Sequence, residues 1–142
     1  MLLLLCAPAS AQSDNRQSLE RQSDEAFRQV LQEPQNLGLW SAYSRLLIQQ
    51  GNYEGGIAAL ERLMLEPDAS PSIRVDVGVL YYRLASYAQA EAVLRSALDD
   101  PRLPADQRAL ATALIADIAK RSQLSQFSGA ATFGLRHQSN PM

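Results

Sequence analysis

The sequence of 142 residues is poor in the side chains on which most enzymes and metal sites depend. It has one histidine, His137, and one cysteine, Cys6, which excludes the usual zinc patterns of several Cys or His ligands. No glycine-rich segment carries the lysine of a phosphate-binding loop. We therefore predict no catalytic residue, no metal and no cofactor. A small enzyme that uses His137 in a Ser-His-Asp arrangement is the rival hypothesis.

Basic charge and aromatic residues are also scarce. Thirteen Lys and Arg against fifteen Asp and Glu give a net charge of −2, with both signs interspersed. Without a basic stripe to neutralise phosphates, the chain is not expected to bind nucleic acid. Aromatics make up 6% of the sequence, whereas Ala and Leu are frequent, and this favours helix over sheet.

The apolar run at the start of the chain is too short to span a membrane. Pro8 ends it, and Ala9-Ser10-Ala11 then supplies the small residues that signal peptidase accepts. This pattern predicts a signal peptide over 1–11, cleaved after Ala11, and a leader over 12–18. The exported chain is then expected in the periplasm of a Gram-negative bacterium. No Lys or Arg precedes the run, so the true start could lie upstream, and a buried N-terminal helix is the alternative. Removal of Cys6 would leave no thiol, as suits an oxidising compartment.

Apolar residues recur at helical spacing along most of the chain, between turns marked by Pro, Gly and Asn. Ser70 is a candidate N-cap, with Pro71 in the first turn of the next helix. Because the connections are short, neighbouring helices should be antiparallel. The pattern predicts helices over 19–33, 37–50, 53–65, 73–84, 87–98 and 105–126.

The sequence also repeats itself, with matching residues 34 positions apart. Small residues are expected where the two helices of a repeat cross closely, and large ones in the gaps around that crossing. An ordinary helical bundle with coincidental spacing is the alternative. The matched pairs are Tyr53 and Tyr87, Pro67 and Pro101, Leu60 and Leu94, Leu63 and Ala97, Gly56 and Ala90, and Ser44 and Gly78.

These positions resemble the tetratricopeptide repeat pattern W-x2-L-G-x2-Y…A-x3-F…A…P. Trp40 and Tyr43 begin the first repeat, whereas Arg74 stands at the tryptophan position of the second. The resemblance implies an all-α, antiparallel helix-pair solenoid. It would comprise a partial repeat over 19–36, repeats over 37–70 and 71–104, and a C-terminal capping helix over 105–126.

In that family, helix A of each repeat lines the inner, concave face, which holds a protein or peptide client. A groove with Arg45, Tyr82 and Arg83 would favour an extended client with acidic and apolar groups. The alternative is that these are merely solvated helix residues. The residues placed on this face by the resemblance are Gly38, Ser41, Arg45, Ile48, Ser72, Val75, Val79, Tyr82 and Arg83.

From residue 127 onward the apolar residues alternate with small or polar ones, a period typical of a strand. Residues 127–142 resemble the first barrel strand of proteins that join a periplasmic tetratricopeptide domain to an outer-membrane barrel. Surface-lipoprotein assembly modifiers and exopolysaccharide secretion porins have that layout. A flexible tail is the alternative. The sequence thus predicts a periplasmic binding scaffold of an outer-membrane secretion, assembly or export protein, or else a free periplasmic adaptor for envelope or polysaccharide synthesis.

Overall fold

The computed structural model describes residues 9–136, and the side chains of residues 13–123. Within that range the chain is all-α, which confirms the predicted fold class. The six helices are α1 Ala9–Gln32, α2 Leu37–Gln49, α3 Tyr53–Met64, α4 Pro71–Arg83, α5 Tyr87–Leu98 and α6 Ala105–Arg136.

The first helix starts well before its predicted start at residue 19. Residues 13–17, which fall in the expected leader, are all exposed on α1. Because they carry no apolar period, they show no helical signal in the sequence. No Gly or Pro lies between Ala9 and Gln32 to end a helix that has begun. The expected cleavage after Ala11 falls within the first turn of α1, and residues 1–8 lie outside the described residues.

The last helix continues well beyond its predicted end at residue 126. The described backbone is thus helical over 127–136, where the alternation predicts a strand. A strand needs a neighbouring strand for its backbone N–H and C=O groups, whereas a helix satisfies them within one segment. Residues 137–142, which include His137, lie outside the described range.

The helix bounds repeat at the same interval as the sequence. The start and the end of α4 each lie 34 positions after those of α2, and the same holds for α5 and α3. The start of α6 lies 34 positions after that of α4. The periodicity of the sequence is therefore a periodicity of the backbone. We call α2, α4 and α6 the A-type helices, and α3 and α5 the B-type helices.

The turn inside each helix pair has the same geometry. Gly51, with φ 79°, and Ala85, with φ 57°, are the described residues with positive φ, and they lie 34 positions apart. In both turns the following residue donates its N–H to the carbonyl oxygen five positions back, at 2.9 Å. This is the Schellman arrangement that ends a helix and reverses the chain.

The chain divides into two compact units, which we call the first unit (Met1–Ile73) and the second unit (Arg74–Met142). In the first unit α2 packs against both α1 and α3. The core includes Val30 of α1, Leu47 of α2 and Leu60 of α3. Gln50 at the end of α2 donates to Ser23 Oγ of α1 at 2.7 Å, which ties these two helices together.

The core of the second unit joins α4, α5 and α6 through Val75, Leu94 and Ala111, none of which is exposed. Gly78 of α4 faces Leu94 of α5 so closely that a Cβ at residue 78 would lie 2.6 Å from its side-chain carbons. The close crossing of α4 and α5 therefore depends on a residue without a side chain. Leu114 and Ile115 of α6 pack against the same core and cover it.

Candidate partner-binding faces

The predicted site residues of the first repeat lie on one side of α2. Gly38, Ser41, Arg45 and Ile48 follow one another at intervals of three or four positions, which places them along one helical face. Gly38 and Arg45 are exposed, and Ser41 and Ile48 are half-buried. This set, which we call the α2 face, is open to a partner and carries a cation beside an apolar group.

The start of α2 is held by two hydrogen bonds. Asn36 caps the helix, because its Oδ1 accepts from the N–H of Gly38 at 3.2 Å. Trp40 donates its indole N–H to the carbonyl oxygen of Pro34 at 3.0 Å. These contacts fix the α2 face on a rigid element rather than on a loop.

An aromatic contact holds the next turn of α2. The ring of Tyr43 lies against that of Phe27 on α1, with centroids 5.4 Å apart and planes inclined by 32°. Such a tilted pair is within the range of favourable aromatic contacts. It positions the middle of α2 against α1, on the side away from the exposed Arg45.

The start of α4 is capped by Ser70. Its Oγ accepts from the N–H of Ser72 at 3.4 Å, and Pro71 is the first residue of the helix. Both features agree with the sequence-based expectation. Ser72 itself is half-buried.

Val75 was predicted to line the partner-binding face, and this is wrong. It is 0% exposed and belongs to the core of the second unit, and Val79 packs against that same core. The repeat pattern alone does not reveal this, because α4 is apolar on several sides, with Val77 and Leu80 also buried.

Tyr82 belongs to a polar cluster that joins three helices. Its hydroxyl donates to Oδ2 of Asp117 on α6, which also accepts from Nε of Arg121 at 2.5 Å. The guanidinium carbon of Arg121 lies 5.7 Å from the ring centroid of Tyr82 and 5.8 Å from that of Tyr87, within the range of a cation–π contact. We call Tyr82, Tyr87, Asp117 and Arg121 the tyrosine–arginine cluster. Arg83, the next predicted residue, is exposed.

Hydrogen bonds set the charges of this cluster. Those from Tyr82 and then Arg121 lower the pKa of Asp117. The same bond to Asp117 raises the pKa of Tyr82, and the Asp117 carboxylate raises the pKa of Arg121 further. At neutral pH the cluster thus holds the Asp117 carboxylate, the Arg121 guanidinium and the neutral phenol of Tyr82.

Asp117 was not identified from the sequence as a member of this cluster. The 35 residues that separate Asp117 from Tyr82 give no local signal of contact. The repeat period was the available clue, because an interval close to 34 places two residues at nearly the same level of successive A-type helices.

Asp100, which precedes Pro101 near the end of the second repeat, is neutralised by arginines. It accepts from Nε and Nη2 of Arg102 at 3.1 and 2.9 Å, and Arg74 lies 3.7 Å away. The hydrogen bonds from Arg102 lower the pKa of Asp100 to about 2. Among the described residues, no group of three Asp, Glu, His or Cys is placed to hold a metal ion.

The first unit also contains an open cleft of about 350 Å³. Its lining offers one guanidinium and three amides, but neither a carboxylate nor a nucleophile. The lining residues are Asn15, Arg16, Leu19, Gln49 and Gln50.

Across residues 9–136, no helix combines the length and the apolar character needed to cross a bilayer. The sequence matches no protein-family model and no curated protein. The tetratricopeptide interpretation therefore rests on the residues and contacts of this chain alone.

Proposed function

We propose that this protein is a non-catalytic periplasmic scaffold of tetratricopeptide type that binds a protein client through its A-type helices. The client would be handled by an outer-membrane-associated secretion, assembly or export system. The observation that carries the proposal is the recurrence of helix bounds and turn geometry at 34 positions. A free adaptor of the envelope or polysaccharide-synthesis machinery is the second candidate.

Paired helices of this size bury too little apolar surface on their own, and stacking on neighbouring pairs supplies the rest. The B-type helix α3 is buried on the side of Leu60 and Leu63. The α2 face, by contrast, keeps Arg45 exposed and Ile48 partly exposed. The α2 face therefore has accessible side chains that could contact a client.

The chemistry of these faces favours an extended segment with acidic and apolar side chains. On α2 the guanidinium of Arg45 is available for a carboxylate, and Ile48 for an apolar group. On α4 the proposed contacts are Ser72, Tyr82 and Arg83. The tyrosine–arginine cluster holds the ring of Tyr82 in a fixed orientation, which lowers the entropy cost of binding.

Site-specific photo-crosslinking in intact cells tests the α2 face. A photoreactive residue in place of Ser41 or Arg45 should give discrete adducts with a client, because these positions lie on the proposed face. The same residue in place of Ala58, exposed on α3, is the matched control and should give none. Equal adducts at Ala58, or none at Ser41 and Arg45, would contradict the proposal.

Localisation tests the rest of the proposal. An alkaline phosphatase fusion after residue 126 should be active, because that reporter needs an oxidising compartment to form its disulfides. N-terminal sequencing of the exported chain should begin at Gln12. The native protein should then sediment with outer membranes, whereas recovery in the released periplasmic fraction would favour the free adaptor.

A further inference from the structure

One side of α1 exposes large apolar residues, although the ring of Phe27 also contacts Tyr43 of α2. Phe27 is 42% exposed and Leu31 is 64% exposed. Pro34 stands 33 positions before Pro67, and at that spacing Phe27 corresponds to Leu60 of α3, which is 6% exposed. A position that is buried in the full repeat is therefore partly exposed on α1.

The chain itself shows what covers this position. Leu94 of α5 lies 34 positions after Leu60 and is completely buried, with Gly78 of α4 directly against its side chain. The covering element is thus an A-type helix with a small residue at the crossing point. A partner for α1 needs the same chemistry.

α6 is such a helix, with that side exposed. It starts 34 positions after α4, and Val75, Gly78 and Val79 of α4 correspond to Ala109, Thr112 and Ala113. The α4 residues are buried or packed against the core of the second unit, whereas the three α6 residues are exposed. Leu110 beside them is 41% exposed.

We infer that the exposed side of α6 in one copy of this protein binds the exposed side of α1 in a second copy. Among the residues that the structure describes, each face is without the kind of helix that the other supplies. The α1 face has large residues that no small-residue helix covers, and the α6 face has small residues that no large-residue helix covers. Such a contact joins two different surfaces, so it generates rings or open chains of copies rather than a two-fold dimer. The inference does not depend on client binding.

Sedimentation of the full chain over a concentration series tests this self-association. The wild type should gain average mass with concentration beyond that of a dimer. Leu31→Asp, which alters only the α1 face, should weaken association about tenfold or more, because a buried Leu side chain contributes at least that factor. Ala113→Arg should do the same from the α6 face. Leu65→Asp, at a residue that is 76% exposed, is the control and should leave association unchanged.

Mixing the two variants distinguishes this contact from symmetric pairing. Each variant alone should be monomeric, whereas the mixture should form a one-to-one pair through the α1 face of Ala113→Arg and the α6 face of Leu31→Asp. Three results would overturn the inference: a wild type that stays monomeric up to about 1 mM; a mixture that stays monomeric; or an Ala113→Arg chain that still associates alone. Unchanged far-UV circular dichroism confirms that each variant is folded.

Discussion

The two full repeats reach the same backbone with different side chains. Each contains helices of 13 and 12 residues, yet the first repeat has Gly51 in the left-handed turn and the second has Ala85. In the first, Asn52 also caps α3 by accepting from the N–H of Gly55, whereas the corresponding Ser86 makes no side-chain cap bond. The turn and the start of the following helix are therefore better stabilised in the first repeat than in the second.

The second repeat has the tighter crossing. Gly78 stands where the first repeat has Ser44, and Leu94 behind it is completely buried, compared with 6% exposure for Leu60. Leu103, which closes the second repeat, is also buried, whereas Ala69 at the matching position is half-buried. The comparison teaches that helix spacing and turn hydrogen bonds define the repeat, while caps and core residues vary.

The largest expected effect separates a covered repeat position from an uncovered one. Leu94→Ala should lower the free energy of unfolding by about 2–5 kcal/mol, because it opens a cavity in a sealed core. Phe27→Ala, at the matching position of the partial repeat, should cost about 1–2 kcal/mol, since Phe27 is half-exposed. Urea denaturation of dilute protein measures both. Equal losses would show that the two positions are not distinguished by a covering helix.

The next effect exchanges the turn residues of the two repeats. Ala85→Gly should raise the free energy of unfolding by up to about 1 kcal/mol, because a left-handed φ strains a side chain with a Cβ. Gly51→Ala should lower it by about 1 kcal/mol for the same reason, although a Cβ there has open space around it. Paired denaturation curves should show changes of opposite sign in the free energy of unfolding for the two variants. A loss of stability on Ala85→Gly would mean that residue 85 does not have positive φ.

The smallest expected effect is the contribution of Asp100, in the second repeat, to the pH dependence of stability. The pKa of Asp100 is depressed in the folded state, so its contribution to stability is present above about pH 4 and is lost as pH falls toward about 2. Asp100→Asn should therefore flatten the acid side of the stability–pH curve, as measured by thermal unfolding at each pH. Arg102→Gln, which removes the first cause of the depression, should flatten it too. A wild-type slope in both variants would contradict the assignment.

Much of the fold was predictable because the decisive signals were local. The prolines, Gly51-Asn52 and the helical spacing of the apolar residues marked the bounds of α2, α3, α4 and α5 to within one or two positions. The ends of the outer helices were not predictable in this way. Residues 13–17 lack an apolar period, and residues 127–136 carry a strand-like one, yet both stretches are helical.

The predicted site residues differ in accessibility between the two helices that carry them. The family resemblance placed Gly38, Ser41, Arg45 and Ile48 on one side of α2, and that side is accessible. The same reasoning misplaced Val75, because α4 is enclosed on several sides. It also missed the contact between Tyr82 and Asp117, since a contact across 35 residues depends on how α6 packs rather than on local sequence.

The central claim is that the helix pairs α2–α3 and α4–α5 are two copies of one structural repeat. Distances between spin labels test it most directly. In a Cys6→Ser background, one doubly labelled chain carries labels at residues 49 and 58, and a second carries them 34 positions later, at residues 83 and 92. All four positions are exposed, and each pair joins the A helix of a repeat to its B helix. The account predicts two distance distributions with the same maximum and width. Clearly different maxima would show that the sequence period does not correspond to a repeated structure.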